Sequence, residues 1–426
     1  MIDKDLVKRY ILRVQKQIPK NVKPRELRVQ TVPNKALCII GPRRAGKTYY
    51  LFSLVSGSKN YLYIDFENPV FYDLSPKDAI ALLDTYRELY PEIERPMVIL
   101  DEVQVVQDWE RMVRYFLTEA SEVYVTGSSS KLLSKEIATA LRGRALSYVL
   151  LPLSFREFLT FKNVAFKGRD LYINYHKIKA LLNEYLNYGS YPEVVLNEPK
   201  ERILQEYLDL IIKKDLLERY RIKNVRLINE IIYFSINNYA KYLSYDSLFR
   251  LYSQRFHVTK RTIINYLSYF EDIFFMFLVK RYSGSIKTRI VSPRKIYLID
   301  VGFGLFGHKD ISRDMENIVF LELLRRKYYE NVLQEIFYYQ DSQGHEIDFL
   351  IKEGSNVKEL IQVTYASSFD EIASREYRAL IKALELFKGA KLTIVTWDYE
   401  DSKLVKWFGK EVLINFVPLW KWLLRL

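Results

Sequence analysis

The segment with the clearest chemical meaning is a run of eight residues near the start of the chain. It reads Gly-Pro-Arg-Arg-Ala-Gly-Lys-Thr, fits the pattern G-x-x-x-x-G-K-S/T, and directly follows an apolar run that ends at Ile40. Glycines at these spacings let main-chain amides and a helix N-terminus close around phosphate. We therefore expect Lys47 to reach the β- and γ-phosphates of a nucleotide and Thr48 to ligate Mg²⁺. The residues predicted to bind the nucleotide are Gly41, Pro42, Arg43, Arg44, Ala45, Gly46, Lys47, Thr48 and Tyr49.

A pair of acidic residues supplies the second half of such a site. Asp101 and Glu102 follow the apolar run Met97–Leu100, which reads as a buried strand. A carboxylate at the end of that strand can hold the coordination shell of Mg²⁺, and the next one can polarise an attacking water. Many apolar strands end in a solvated acid, so the pair gains its meaning from the phosphate loop upstream. Lys47 and Glu102 are therefore predicted to be catalytic, and Thr48 and Asp101 to hold the metal.

Two further sets of polar residues follow in the chain. Thr126 and Ser128 end a third apolar run and could bond to the γ-phosphate or to the water, although an ordinary serine-rich turn explains them equally well. Arg142 and Arg144 come one predicted helix later. An arginine there could complete the site of a neighbouring copy, which would require a homo-oligomer, or it could be a surface cation.

The spacing of apolar residues predicts the elements that position these groups. Residues 3–18 have helical spacing, and four short apolar runs alternate with segments long enough for helices. Such alternation predicts a parallel sheet that is covered on both faces. The four runs are Ala36–Ile40, Tyr61–Phe66, Met97–Leu100 and Val123–Val125.

The rest of the chain changes character three times. Residues 158–224 read as mostly helical, and residues 225–300 contain two helices that are separated by a short turn and followed by two strands. This is the arrangement of a winged helix-turn-helix, and the remaining residues predict a mixed α/β unit. The expected segments are an N-terminal helix (1–24), a nucleotide-binding core (25–160), a helical lid (161–224), a winged helix (225–305) and a C-terminal α/β domain (306–426).

Composition narrows the class of partner and the compartment. Lys and Arg number 65 against 52 Asp and Glu, which gives a net charge of +13. That surplus favours a polyanionic partner such as DNA, although a lysine-rich solvated surface would give the same count. The single cysteine, Cys38, excludes an intramolecular disulfide and a cysteine zinc cluster. Since no apolar run reaches the roughly 18 residues of a membrane span, we expect a cytoplasmic protein without a membrane partner.

Taken together, the motifs resemble the AAA+ superfamily, and within it the archaeal and bacterial ATPases that join an AAA+ core to a C-terminal domain shaped like a restriction nuclease. The resemblance extends over nearly the whole chain. It implies an α/β fold that contains a P-loop AAA+ parallel-sheet core with a helical lid, a winged helix-turn-helix and a C-terminal mixed α/β restriction-nuclease-like domain. The segments that carry it are Gly41–Thr48, Tyr63–Glu67, Leu100–Gln104, Thr126–Ser129, Arg142–Arg144 and Leu151–Phe158.

The resemblance also implies roles for individual residues. ATP is the expected nucleotide, because no Asn/Thr-Lys-x-Asp motif that reads guanine follows the loop. Either Thr126 or Ser128 corresponds to the first sensor of the superfamily, and Arg142 and Arg144 are the arginine-finger candidates. The segment Gly-Ser-Tyr-Pro that ends at Pro192 is similar to a lid motif of related signalling ATPases, in which the proline packs near adenine.

The C-terminal part resembles the restriction-nuclease pattern, in which an Asp and a later Glu-x-Lys lie on adjacent strands. Asp348 matches the first acid, but Gln362 stands in place of the Glu and Thr364 in place of the Lys. An amide binds Mg²⁺ more weakly than a carboxylate, and Thr brings no positive charge to a phosphate. Glu322 and Asp348 could still coordinate a metal. We therefore expect the nuclease shape without efficient cleavage; the alternative is an unrelated α/β lobe with solvated acids.

The predicted helix-turn-helix combines cations with aromatic residues. Arg250, Arg255, Lys260 and Arg261 lie near Tyr252 and Tyr266, a mixture that suits DNA backbone and groove contact. Winged helices also serve as plain packing modules. Two classes of function stay open: an ATP-driven switch or remodeller that acts on DNA, and a nucleotide-gated signalling or defence protein whose C-terminal domain recruits a protein partner. An ATP-controlled nuclease is a further alternative.

Overall fold

The protein folds into two compact units. The computed structural model describes residues 3–19, 21–127, 141–341, 343–407 and 409–426. One unit comprises Met1–Leu151 together with Asp272–Phe274, and the other comprises Pro152–Glu271 and Phe275–Leu426.

The first unit is built on a sheet of five parallel strands. The strands are β1 Ala36–Ile40, β2 Tyr61–Asp65, β3 Met97–Asp101, β4 Val123–Gly127 and β5 Ala145–Val149. Their order across the sheet is β2-β3-β4-β1-β5, so β4 lies between β1 and β3. The first four strands are almost wholly buried, which explains why their sequences are continuous apolar runs and do not alternate.

This sheet confirms the predicted parallel α/β core and adds one strand to it. The four predicted apolar runs form β1 to β4, whereas β5 was not predicted. β5 is an edge strand, and Val149 is its one fully buried residue. Its sequence therefore lacks the apolar run that marks the other four strands.

Helices accompany the sheet of the first unit. In the described part of this unit they are α1 Lys4–Gln17, α2 Lys47–Val55, α3 Asp78–Leu89 and α4 Trp109–Glu119. α1 confirms the helix predicted for residues 3–18. The side chain of Asp3 caps its first turn, and Val7, Tyr10 and Ile11 form its buried face.

The second unit begins with a helical region, as predicted for residues 158–224. Its helices are α5 Phe155–Phe161, α6 Arg169–Ile173, α7 Tyr175–Tyr188, α8 Pro192–Leu196 and α9 Lys200–Leu210, and a π-helical stretch, Ile211–Glu218, follows. A capping box starts α5, in which the Ser154 side chain accepts from the Glu157 N–H and the Glu157 carboxylate accepts from the Ser154 N–H.

A small antiparallel sheet and three longer helices follow. The elements are α10 Val225–Asn237, β6 Tyr242–Leu243, α11 Tyr245–Phe256, α12 Lys260–Asp272, β7 Met276–Val279, α13 Ile286–Val291 and β8 Arg294–Leu298. β8 lies in the middle of the sheet and pairs antiparallel with both β6 and β7. The predicted helix, turn and helix are present, as are the two strands after them.

The C-terminal part of the second unit is a mixed six-stranded sheet with helices. The elements are α14 Ile311–Tyr329, β9 Gln334–Gln340, β10 Glu346–Glu353, β11 Asn356–Val363, α15 Ser374–Ala383, β12 Lys391–Thr396, β13 Asp401–Trp407, β14 Lys410–Pro418 and α16 Leu419–Leu424. The strand order is β13-β14-β12-β11-β10-β9, with parallel pairing on either side of β12 and antiparallel pairing elsewhere. The predicted mixed α/β domain is confirmed. The strands β13 and β14 were both missed; β13 is a largely exposed edge strand.

None of the helices in the described ranges has both the length and the apolar composition needed to cross a bilayer.

Candidate functional site

The phosphate-loop motif forms a tight loop between β1 and α2. A Cβ atom on Gly41 would lie 2.2 Å from the carbonyl oxygen of Leu150, so glycine is required where the loop passes the segment after β5. Gly46 has a φ of 92° and precedes the first residue of α2. The motif thus leaves β1 and enters a helix N-terminus, which is the structural context that phosphate binding requires.

Lys47 lies inside this loop. Its residue surface is 5% exposed, and its Nζ donates to the carbonyl oxygens of Gly41 at 3.1 Å and Pro42 at 3.0 Å. These bonds hold the ammonium group against the main chain of the loop. A phosphate bound by the loop amides would therefore lie beside a positive charge.

Asp101 is the centre of a hydroxyl network at the carboxyl edge of the sheet. Its Oδ2 accepts from the Thr48 hydroxyl at 2.8 Å and from the Tyr63 hydroxyl at 2.7 Å, and its Oδ1 accepts from the Thr126 hydroxyl. Asp101 is 4% exposed. The structure therefore brings together three predicted site residues, Thr48, Asp101 and Thr126, and adds Tyr63 to them.

Glu102, the residue after Asp101, has a strained backbone conformation. Its φ of 52° is left-handed, a conformation that costs a non-glycine residue roughly 1–2 kcal/mol. The Glu102 N–H donates to the Thr126 hydroxyl at 2.9 Å, and the side-chain amide of Gln104 donates to its carboxylate. Residues that are held in such conformations cluster at functional sites. Thr126 thus contacts both acidic residues of the pair.

Three predicted catalytic residues remain, namely Ser128, Arg142 and Arg144. Ser128 lies outside the described residues, so its predicted sensor role is left as a prediction. Arg142 and Arg144 are exposed, with no side-chain partner among the described residues, and Arg142 has a left-handed φ of 50°. Their assignment as arginine fingers also stays a prediction.

Two residues that had no predicted role support the site. Arg25 donates from Nη1 to the Ala45 carbonyl oxygen at 2.8 Å and from Nη2 to the Leu151 carbonyl oxygen at 2.6 Å, so it ties the phosphate loop to the end of the β5 segment. Tyr63 lies on β2, next to β3. Tyr63 belongs to a segment that carries the family resemblance, but the sequence does not indicate its contact with Asp101. Arg25 precedes β1 in a region without periodic pattern.

Burial controls the protonation of the groups around Asp101. Burial raises the pKa of the Tyr63 hydroxyl, and the charge of Asp101 raises it further, so Tyr63 stays a donor. Burial also raises the pKa of Asp65 to about 6; the Glu67 N–H lowers it, and the charge of Asp101 raises it. Glu67 reaches back to the phosphate loop, with its carboxylate 3.6 Å from the guanidinium of Arg43.

The Gly-Ser-Tyr-Pro segment lies in the second unit and has a clear packing role. Pro192 is the first residue of α8, and its proposed contact with adenine stays a prediction. The Ser190 N–H and hydroxyl both donate to Asp300 Oδ2 at 2.7 Å, and the Gly302 N–H donates to Asp300 Oδ1 at 2.8 Å. A Cβ on Gly189 would lie 1.5 Å from that Oδ1. The glycine is therefore required by the buried carboxylate of Asp300.

The C-terminal acids require one correction. Glu322 was expected to join Asp348, but its carboxylate is held by Arg156 and Arg325 at 3.1 Å and by Arg425 at 3.0 Å. Burial alone would raise the pKa of Glu322, and these arginines lower it. Glu316, on the same helix α14, shares the ammonium of Lys295 with Asp348. The six-residue separation places Glu316 and Glu322 about 120° apart around the helix, which is why both cannot face Asp348.

The other two residues of the nuclease pattern lie beside Asp348. The Gln362 side-chain oxygen is 3.4 Å from the Asp348 amide nitrogen, and the side chain of Thr364 bonds to Glu376. Burial raises the pKa of Glu376 to about 6. No group of three or more His, Cys, Asp or Glu residues in the described ranges is arranged to hold a metal ion.

Comparison with protein families divides the chain into three regions. Residues 33–159 match the family described as AAA domain. Residues 179–306 match a domain of unknown function, DUF8612, and residues 313–419 match a second one, DUF4143.

Comparison with individual proteins finds relatives that cover most of the chain. The chain is 37% identical to the uncharacterized protein MJ1544 of Methanocaldococcus jannaschii, over 99% of this chain and 96% of that protein. It is 32% identical to an uncharacterized protein of Haemophilus influenzae, over 75% of this chain and 80% of that protein. A solved Walker-type ATPase of Pyrococcus abyssi is 14% identical, with a TM-score of 0.39 over 72% of this chain and 95% of that one.

Proposed function

The chain belongs to the family of the uncharacterized protein MJ1544 and carries an AAA domain, and we propose that it binds ATP with Mg²⁺ and hydrolyses it. The observation that carries the proposal is the 2.8 Å hydrogen bond between the Thr48 hydroxyl and Asp101 Oδ2. It joins the first residues of α2 to the end of β3, two segments 53 residues apart in sequence. A hydroxyl and a carboxylate next to a buried lysine in a glycine loop are the groups that a Mg²⁺-nucleotide site requires.

The residues fit a magnesium ion at this point. Thr48 and Asp101 offer two adjacent oxygen atoms of the type that Mg²⁺ prefers, and phosphate and water would supply the remaining ligands. Mg²⁺ bound there would neutralise charge on the β- and γ-phosphates. The hydroxyl groups of Tyr63 and Thr126 orient the Asp101 carboxylate from two other directions.

The chain's own residues divide the work of hydrolysis. Lys47 binds phosphate and stabilises the negative charge that develops on it. Glu102 accepts a proton from the attacking water, which is the role that its position after Asp101 supports. Thr126 holds the main chain of Glu102 through the 2.9 Å bond to its N–H, so it acts as a positioning residue for the base.

Nucleotide affinity tests the binding half of the proposal. Isothermal titration of ATP with Mg²⁺ is expected to show binding that Lys47→Ala weakens about 10- to 100-fold, because a bond to a charged group contributes about 1.5–3 kcal/mol. Lys59→Ala, which removes an exposed lysine of the same unit, is the control and should bind like wild type. Equal affinity in wild type and Lys47→Ala would remove this loop from nucleotide binding.

For the partner, we propose DNA, bound on the helices α11 and α12 of the second unit. Arg250 and Arg261 are exposed, and neither has an ion-pair partner among the described residues. Arg255 and Lys260 contribute less to phosphate binding, because their charges are paired with Glu230 at 2.7 Å and Asp246 at 2.5 Å, respectively. Together with the net charge of +13, the two unpaired arginines support phosphate contact.

One aromatic residue of the predicted DNA surface belongs to the core instead. Tyr252 is 5% exposed, and its hydroxyl lies 3.3 Å from the Glu230 carbonyl oxygen. Since a buried ring cannot stack on a base, Tyr252 packs α11 against α10 and does not contact DNA. In this proposal, the helix-turn-helix pair contacts DNA phosphates through its cationic side chains.

Salt dependence of duplex binding tests the DNA proposal and separates it from protein recruitment. Affinity should fall steeply between about 50 and 200 mM salt. Arg250→Ala with Arg261→Ala should lower the slope of log affinity against log salt by about two, since each phosphate contact contributes roughly one. Arg202→Ala, at an exposed arginine of α9, is the control for loss of one positive charge elsewhere in the unit and should leave the slope unchanged. Absence of DNA binding with and without ATP would overturn the proposal in favour of the signalling alternative.

A further inference from the structure

Lys295 occupies an unusual position in the second unit. It lies on β8, the central strand of the small sheet, and its side chain is 4% exposed. Its Nζ lies 2.7 Å from Glu316 Oε1, 2.5 Å from Glu346 Oε1 and 2.9 Å from Asp348 Oδ1. The ammonium donates hydrogen bonds to Glu316 and Asp348 and forms an ion pair with Glu346, so three carboxylates from three residues surround one cation.

The three carboxylates have further hydrogen bonds of their own. The Tyr297 hydroxyl donates to Glu316 Oε1 at 2.6 Å, and the Val363 N–H donates to Asp348 Oδ2 at 3.0 Å. Tyr242 bonds to Glu346. The cluster is therefore a closed network, in which the ammonium is the shared partner of every acid.

We propose that Lys295 is the resident cation of this carboxylate cluster and takes the place that a metal ion holds in an active nuclease of the same pattern. Asp348 is the acid that the sequence pattern identified, and α14 contributes Glu316 opposite it. The lysine comes from β8 and not from the position directly after β11, where Thr364 stands. The second unit thus keeps an acidic cluster, and a lysine of the same chain neutralises part of its negative charge.

The charge balance of the cluster explains why an external ion would be disfavoured. Burial alone would lower the pKa of Lys295, but the attraction of Asp348 and Glu316 outweighs it and raises the pKa, so the lysine stays charged. Burial raises the pKa of Glu316 to about 7, and the charge of Asp348 adds to the rise. A divalent ion would have to displace a buried ammonium from its partners, and breaking such a pair is strongly destabilising.

The cluster also joins two sheets of the unit. Lys295 belongs to the three-stranded sheet, whereas Glu346 and Asp348 belong to β10 of the six-stranded sheet. The ammonium is therefore a structural link between the helix-turn-helix region and the C-terminal sheet as well as a substitute for a metal.

Manganese binding without nucleotide tests the proposal by electron paramagnetic resonance. All chains carry Asp101→Asn, which removes the carboxylate that we propose as a Mg²⁺ ligand in the first unit. Asp348→Asn in this background is expected to leave the number of bound Mn²⁺ ions unchanged, because Lys295 already fills the centre. Lys295→Met, which removes the charge and keeps a long apolar side chain, is expected to take up one additional Mn²⁺, and adding Asp348→Asn should abolish that gain.

Two results would overturn the proposal. One is Mn²⁺ binding by the chain with Lys295 intact that disappears in Asp348→Asn, since it would make the cluster a metal site. The other is a folded Lys295→Met chain that binds no additional Mn²⁺. Lys352→Met is the control for loss of a lysine, because it removes a half-buried lysine of β10, the strand that carries Asp348, where it pairs with Glu335. If Lys295→Met does not fold, the comparison with Asp348→Asn alone decides the question.

Discussion

The hydroxyl of Tyr63 lies 2.7 Å from Oδ2 of Asp101 and donates a hydrogen bond to it. The two residues lie on adjacent parallel strands, β2 and β3, near the edge where both strands end. Because Tyr63 and Thr48 share the same carboxylate oxygen, the tyrosine fixes the orientation of the group that we assign to Mg²⁺. Tyr63 is therefore a positioning residue of the site.

Removal of this hydroxyl should alter the response to magnesium more than the maximal rate. In Tyr63→Phe we expect the Mg²⁺ concentration for half-maximal ATP turnover to rise about 10-fold, since a bond to a charged group is worth about 1.5–3 kcal/mol. A magnesium titration of steady-state turnover measures it. Tyr72→Phe, at a tyrosine that is 62% exposed, is the control. An unchanged magnesium titration would show that Tyr63 does not position Asp101.

Arg25 should matter for nucleotide affinity although it belongs to no motif. Arg25→Ala removes both bonds from the guanidinium to the main chain of Ala45 and Leu151, so the phosphate loop loses its tie to the β5 segment. We expect ATP affinity to fall about 10-fold, with a smaller change in maximal turnover. Titration calorimetry gives the affinity, and Arg28→Ala, an exposed arginine three residues on, serves as the control. Equal affinity in the two variants would contradict the assigned role.

The sequence predicted those parts of the site that depend on local pattern. The loop around Lys47 and the pair at Asp101 are recognisable because the chemistry needs fixed residue types at fixed spacing next to an apolar strand. Tyr63 and Arg25 could not be found in this way. Their contacts depend on the strand order β2-β3-β4-β1-β5 and on the path of the chain before β1, which apolar periodicity does not determine.

The sequence pattern was also insufficient to predict which acids of the C-terminal domain lie together. The strand that carries Asp348 was predicted, but the choice of Glu322 as its partner was wrong, because the rotation of α14 decides which glutamate faces the sheet. The nuclease pattern could not identify Lys295, because this residue lies on a strand 53 residues before Asp348. The long helical region and the core strands were predictable from apolar spacing; the exposed edge strands β5 and β13 lacked that signal.

The packing of Gly189 predicts a large loss of stability on a small substitution. Gly189→Ala places a methyl group against the buried carboxylate of Asp300 at a φ of 76°, and we expect a loss of about 3 kcal/mol in the free energy of unfolding. Urea unfolding measures the change. Gly284→Ala adds the same methyl group where nothing lies within 4 Å and should change stability by less than about 0.5 kcal/mol. Similar stability of the two variants would contradict the packing role.

The arginine-finger hypothesis makes a prediction about mixtures. If Arg142 or Arg144 acts on a neighbouring copy, a mixture of Arg142→Ala/Arg144→Ala with Lys47→Ala should recover part of the turnover that each variant lacks alone, because one mixed interface combines both intact groups. Turnover per chain should also rise with protein concentration. A mixture that shows only the sum of its components, with turnover independent of concentration, would place the arginines outside the mechanism.

The most direct test of the central claim is steady-state ATP turnover measured beside ATP affinity in Glu102→Gln. The substitution keeps the shape of the side chain and removes the base, so turnover should fall by about 10²- to 10⁴-fold while ATP affinity stays within a few-fold of wild type. Lys47→Ala, in contrast, should lose both affinity and turnover. Wild-type turnover in Glu102→Gln would contradict the account, because no other residue of the site is assigned to activate the water.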